Sequence, residues 1–285
     1  LITLFGGGGA TSAKGTLLFS SSAVQAPLLE FRSYLIDFPA LFTKVFFNTF
    51  LSTIWQYVVN ITGYFSIPFF FISGSSHGNH GIGNVGQFYL FEFPLIIFGV
   101  VRVIRERGLW GRLLLLWAVA VILVASLTRE APHATRSFFL IVPLEVFSAL
   151  GLLVIWSWIA AIKNSRYQKF ILLAIGVFVF YNIVYYFVSY YVRFPIYYAK
   201  SWRSADKPLS LYLAENQDKY NKIIFDKEAG FIYTSLLFYL QYPPADFQKS
   251  VIRAPDDSEG FSEILSFGKY EFRDIDWSKD YSLSK

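Results

Sequence analysis

The chain has 285 residues, of which 54% are hydrophobic and 20% aromatic, and its mean hydropathy is +0.43. Only 16% are charged, against about 25% in a soluble domain, so the composition is that of an integral membrane protein. The formal net charge of +5 is no nucleic-acid signature, because Arg and Lys gather at the ends of apolar runs rather than along one face.

There is no cysteine, which excludes disulfides and cysteine-based metal sites. There is also no methionine, even at position 1, so the sequence reads as the C-terminal part of a longer protein. Glycines at 6–9 and serines at 20–22 make roughly the first 30 residues loop. Residues 35–72 are apolar but interrupted. Lys44, Asn48, Ser52, Gln56 and Asn60 recur every four positions and share one helix face. Phe50, Ile54, Trp55 and Val58 cover the other side. That stripe predicts an amphipathic helix in the membrane interface; a fifth spanning helix packed through its polar face is the alternative.

Residues 73–86 are rich in Gly and carry His77, Asn79, His80 and Asn84. Such a segment lets the backbone approach a ligand and offers N–H groups to an anion; the competing reading is a mobile outer loop. His77 and His80 lack a carboxylate in sequence reach, so they make a weak divalent-metal site, and no cofactor is expected.

Four segments are apolar over about 20 residues, the length that crosses a bilayer: 87–104, 109–127, 137–162 and 170–192. The connections holding Arg102, Arg105, Arg107 and Arg112, and Lys163, Arg166 and Lys169, are short and basic, which places them in the cytoplasm. The loop 129–136 and both chain ends then face outward. Tyr89, Trp110, Trp156, Trp158, Tyr190 and Tyr191 sit at segment edges, as interfacial belts do. Glu92 and Glu145 fall within apolar segments and need a partner or a cavity; structural pairing is the commoner outcome.

Beyond residue 192 the chain turns polar. A strand is expected at 221–226, helices at 209–216 and 231–240, and an edge strand at 269–275. The fold class expected is mainly α: a polytopic transmembrane bundle of about four spans, with an amphipathic interfacial helix and a small extracytoplasmic α/β domain. Residues 1–86 form the outer loop and interfacial helix, 87–192 the transmembrane helices, and 193–285 the outer domain.

The chemistry concentrates in Arg129-Glu130-Ala131-Pro132-His133-Ala134-Thr135-Arg136. Two guanidiniums and an imidazole at a membrane surface suit a phosphate head group, because Arg binds phosphate oxygens bidentately. Interfacial residues capping helix ends would have the same composition. No G-x-S-x-G, P-loop or H-E-x-x-H motif accompanies them.

These pieces form a sequence pattern: Phe69-Phe70-Phe71-Ile72-Ser73-Gly74, then Gly86-Gln87-Phe88-Tyr89-Leu90-Phe91-Glu92-Phe93-Pro94 leading to Gly99. A basic turn follows, then the 127–136 loop and Ile141-Val142-Pro143 with Gly151. Over residues 29–192 this resembles the C-terminal half of bacterial GT-C glycosyltransferases of the protein-mannosyltransferase and lipid A aminoarabinose-transferase type, similar to glycosyltransferase family 39. The resemblance implies inverting transfer of a sugar from a polyprenyl-phosphate donor to a glycan, lipid or protein acceptor outside the cytoplasm. It implies an acidic catalytic base in the first outer loop, upstream of Leu1. It also implies that Arg129, His133 and Arg136 bind the donor phosphate, with His77, Asn79, His80, Asn84 and Glu92 as substrate-loop candidates. Two other classes stay open. A transporter of a lipid-linked substrate would show repeats and broken helices at mid-membrane. A non-catalytic anchor would merely present residues 193–285 as a binding domain.

Overall fold

The computed structural model describes residues 17–18, 22–75, 78–229, 231–256 and 262–280. The protein is mainly helical with one small sheet, and it divides into two compact units, Leu1–Tyr198 and Ala199–Lys285.

The first unit begins with α1 (Ser22–Ser33), α2 (Ala40–Phe46) and α3 (Thr49–Gly63). The four-residue polar repeat predicted one continuous helix, but the chain breaks between α2 and α3. Asn48 is the reason: its backbone is extended, and its side chain accepts the Leu51 N–H at 2.9 Å, capping α3. The Arg32 guanidinium donates to the Phe47 carbonyl at 2.7 Å and ties α1 to the break. Asn60 and Thr53 are buried, whereas Phe50 and Trp55 are about 70% exposed. A soluble helix would do the reverse.

A π-helical turn, Pro68–Ile72, leads toward α4 (Glu92–Glu106) and α5 (Leu109–Ala125). A 3₁₀ turn, Phe138–Leu140, runs into α6 (Ile141–Ala160). Then come α7 (Ser165–Val188), a second π turn (Ser189–Arg193) and α8 (Phe194–Tyr197). Two helical stretches among the described residues are long and apolar enough to cross a membrane, Phe138–Ala160 and Ser165–Tyr197. The segments expected at 87–104 and 109–127 form shorter helices, of 15 and 17 residues, or about 22 and 25 Å at 1.5 Å per residue. Residues 87–91 are not helical, and Arg107, in the left-handed region at φ 52°, ends α4.

α4 and α6 pack backbone to backbone. A Cβ on Gly99 would lie 1.8 Å from the Phe147 carbonyl oxygen, and one on Gly151 1.8 Å from that of Leu95. Small residues let helices approach this closely without a soluble hydrophobic driving force. Ile96, Val103 and Phe147 fill the seam, with Ala118 and Ile122 of α5 beside them.

The second unit holds α9 (Asp206–Asn216), β1 (Ile223–Phe225), α10 (Ile232–Tyr239), α11 (Pro244–Ser250), β2 (Ile252–Arg253), β3 (Ile264–Phe267), β4 (Tyr270–Phe272) and α12 (Trp277–Asp280). The sheet order is β1-β4-β3-β2, with β1 parallel to β4 and the other pairs antiparallel. The strand expected at an edge, β4, is therefore interior. Tyr270 and Phe272 bury one face against Phe225, Leu236 and Phe267, while Glu271 between them pairs with Lys222 and Arg273. Alternation reports a half-buried strand but not how many neighbours flank it. Arg273 also grips Asp280 of α12 through two bonds of 2.7 and 2.6 Å, which hold the Asp280 carboxyl down at about 2.

Candidate functional site

The loop after α5 is shaped by α3. Asn60 donates from its amide to the carbonyls of Ser126 (3.0 Å) and Thr128 (2.9 Å), and accepts from Gln56 (3.0 Å). One turn on, the fully buried Tyr64 accepts the His133 N–H on its hydroxyl at 3.0 Å. Burial pushes the Tyr64 phenol up, against the opposing pull of the His133 N–H and the Arg136 charge. Ser137 closes the turn by donating to the His133 carbonyl at 2.9 Å. The polar stripe of α3 thus serves the loop.

His133 is 4% exposed, and its Nδ1 lies 3.0 Å from the Thr135 hydroxyl. The His80 ring lies against it, with centroids 4.3 Å apart and planes at 49°. The Gly-rich segment and the 129–136 loop, separate in sequence, therefore meet through two imidazoles. Gly86 helps seat that segment, since a Cβ there would lie 2.2 Å from the Phe70 carbonyl oxygen. The Phe88 N–H bonds the same carbonyl at 2.8 Å.

Arg136 donates from Nη2 to Glu130 at 3.0 Å. Its Nη1 is buried and finds no hydrogen-bond partner among the described residues. A buried charged donor in that state is destabilising by more than the ~1–3 kcal/mol typical of a neutral group, while the Arg136 side chain as a whole keeps 24% of its surface exposed. Arg129 also approaches Glu130, at 4.0 Å. The loop therefore carries two cations against one carboxylate. A cavity of about 270 Å³ adjoins the loop, lined by Glu130, Ala131 and Pro132 with Ser66, Ser73 and Gly74 among others; Arg129, His133 and Arg136 are not part of its lining.

The remaining candidates do other things. His77 lies outside the described residues. Asn79 is exposed. Asn84 adopts the left-handed region at φ 56°, with its side-chain amide against the Arg193 guanidinium. Glu92 is buried and accepts the Tyr89 N–H at 2.8 Å, while its own N–H donates to the Tyr89 carbonyl at 2.9 Å. The two bonds close a turn immediately ahead of α4. Among the described residues no three His, Asp or Glu side chains gather as metal ligands. Sequence reasoning missed Tyr64, which no local signal marks because it lies 69 positions from His133. It also gave Glu130 no role, although the structure makes it the partner of Arg136.

Comparison with family models, with curated proteins and with solved structures finds no match for this chain.

Proposed function

We propose that the protein is the C-terminal portion of an integral-membrane glycosyltransferase that moves a sugar from a polyprenyl-phosphate donor to an acceptor on the outer side of the membrane. The observation that carries this reading is the buried Arg136 Nη1, which has no hydrogen-bond partner among the described residues, set in the same loop as His133 and Arg129. As the glycosidic bond to phosphate breaks, negative charge grows on the departing phosphate. A guanidinium already in place stabilises that charge without reorganising, and removal of water around it strengthens the contact. Glu130 orients Arg136 through the second guanidinium nitrogen. His133 belongs to the same loop, and the His80 ring lies against it. The apolar flanks of α6 and α7 suit the prenyl chain. The acidic base that the family resemblance implies is assigned to no residue of this chain.

In this reading the chain crosses the membrane four times, with the basic turns inside and residues 193–285 outside. α4 and α5 cross as a shorter pair. The non-helical residues 87–91 complete the outer part of the first crossing, where irregular backbone is tolerated only when protein satisfies it. Phe70 and Glu92 take two of its N–H groups, those of Phe88 and Tyr89. The cell membrane is the expected location.

The test uses full-length protein in nanodiscs with radiolabelled polyprenyl-phosphate sugars. Sugar release to an acceptor, reduced about 100-fold in Arg136→Ala, is the expected outcome for loss of one charge-stabilising donor. Movement of intact donor across the bilayer without release would establish transport instead. No interaction with any donor would leave the anchor reading.

A further inference from the structure

The second unit contains a cleft that owes nothing to the 129–136 loop. It encloses about 170 Å³ at one end of the sheet. β1 and β4 run parallel, with Phe225 level with Phe272, and both end here. β3, antiparallel to β4, starts here at Ile264. Carboxyl ends of parallel strands are where open α/β sheets bind ligands, because the loops that follow diverge and leave a crevice.

The side chains are of two kinds. Phe231, Tyr233 and Phe272 supply aromatic walls; the Phe231 side chain is 69% exposed although it packs near Tyr233. Asp226, Lys227, Ser262 and Glu263 supply the polar rim. Lys227 and Glu263 form a solvent-exposed ion pair at 3.0 Å, so a donor and an acceptor stand side by side. The turn carrying Lys227 is held by Arg203, which donates to the Ala229 carbonyl at 3.3 Å and is itself paired with Asp206 at 2.8 Å.

We propose that this cleft is a saccharide subsite that stacks one sugar ring on Phe231 and binds its hydroxyls through Asp226, Lys227 and Glu263. The volume decides the size of the ligand. It equals the space of about six liquid waters and lies well below the roughly 300–1,000 Å³ of sites that enclose a whole drug-sized molecule. One ring enters, not a lipid. The mixed rim decides the chemistry. Sugar hydroxyls both donate and accept, matching a rim that offers carboxylates, a hydroxyl and an ammonium. An organic ammonium ion accepts no hydrogen bond, and it would confront Lys227. The apolar face of a pyranose covers an aromatic wall that is otherwise wet. This inference stands apart from the proposed transferase site and survives if that site proves otherwise.

The experiment is saturation-transfer NMR on the full chain in nanodiscs, with free glucose, mannose, N-acetylglucosamine and arabinose as probes and tetramethylammonium as the cationic comparison. Transfer to the ring protons of at least one sugar is expected. It should fall at least tenfold in Phe231→Ala and in Asp226→Asn, and persist in Arg136→Ala. Phe231 is largely exposed, so its truncation should leave thermal unfolding unchanged, and Asp226→Asn provides a second, nearly isosteric check. The proposal is overturned if no probe sugar receives transfer, if both cleft variants retain it, if Arg136→Ala alone abolishes it, or if tetramethylammonium displaces the sugars.

Discussion

The α4–α6 pair and α7 are both strongly apolar, yet the structure uses them in opposite ways. α6 buries Pro143, Phe147, Ser148, Gly151 and Ile159 against its neighbours, whereas α7, four residues longer, buries none. The difference lies in the small residues and not in hydropathy. Gly99 and Gly151 face backbone within 2 Å of where a Cβ would stand, while Gly176 of α7 faces open space. In lipid, apolar side chains alone do not choose a packing face; close approach does.

The sharpest way to break that comparison is to add side chains at the two kinds of glycine. Gly99→Leu should separate α4 from α6, destabilising the folded state by about 3 kcal/mol or more, the upper end for overpacked positions. Gly176→Leu should stay within about 0.5 kcal/mol, as for an open surface site. Denaturant unfolding in detergent micelles measures both, and equal effects would refute the distinction. A smaller loss, on the order of 1–3 kcal/mol, is expected for Asn60→Ala, which leaves the Ser126 and Thr128 carbonyls without their shared donor. Hydrogen exchange should rise in the 126–136 loop and not in α7. Tyr64→Phe removes only the acceptor of one N–H and should cost about 1 kcal/mol, read by the same exchange measurement at His133.

The smallest effect belongs to the second unit and depends on pH. Arg273 holds the Asp280 carboxyl at about 2 against an ordinary value of 3.8. A depressed carboxylate contributes stability that is present above its ordinary value and lost as pH falls through the folded one, here between 3.8 and about 2. Carboxyl-carbon NMR titration should find Asp280 near 2, returning toward 3.8 in Arg273→Ala. An unchanged titration would remove the ion pair as the cause.

Local physics made part of this legible in sequence. The apolar runs, the basic turns and the Arg-His-Arg loop are contiguous, so composition and spacing display them. The helix over 231–240 and the strand near 223 were equally readable, because Tyr242-Pro243-Pro244 and a short apolar run mark them. What escaped depended on distant partners. The repeat from Lys44 to Asn60 looked like one interfacial stripe, but Asn48 became a cap and Asn60 a staple for a loop beyond residue 125. β4 looked like an edge until β1 paired with it. His80 meeting His133 is a tertiary fact, and neither residue's neighbours in sequence announce it. The length of α4 was misjudged for a local reason: the reciprocal Tyr89–Glu92 bonds start the helix five residues later than hydropathy alone would.

Whether the Arg136 guanidinium receives a lipid-linked phosphate, as proposed above, is tested by comparing binding of polyprenyl phosphate with binding of the corresponding polyprenol in nanodiscs. The account predicts that the phosphate strengthens binding at least tenfold, that Arg136→Ala erases this advantage, and that Arg136→Lys restores only part of it, because an ammonium lacks the guanidinium's planar fork. Equal binding of the two lipids to the unaltered protein, or a phosphate preference that survives in Arg136→Ala, would contradict it.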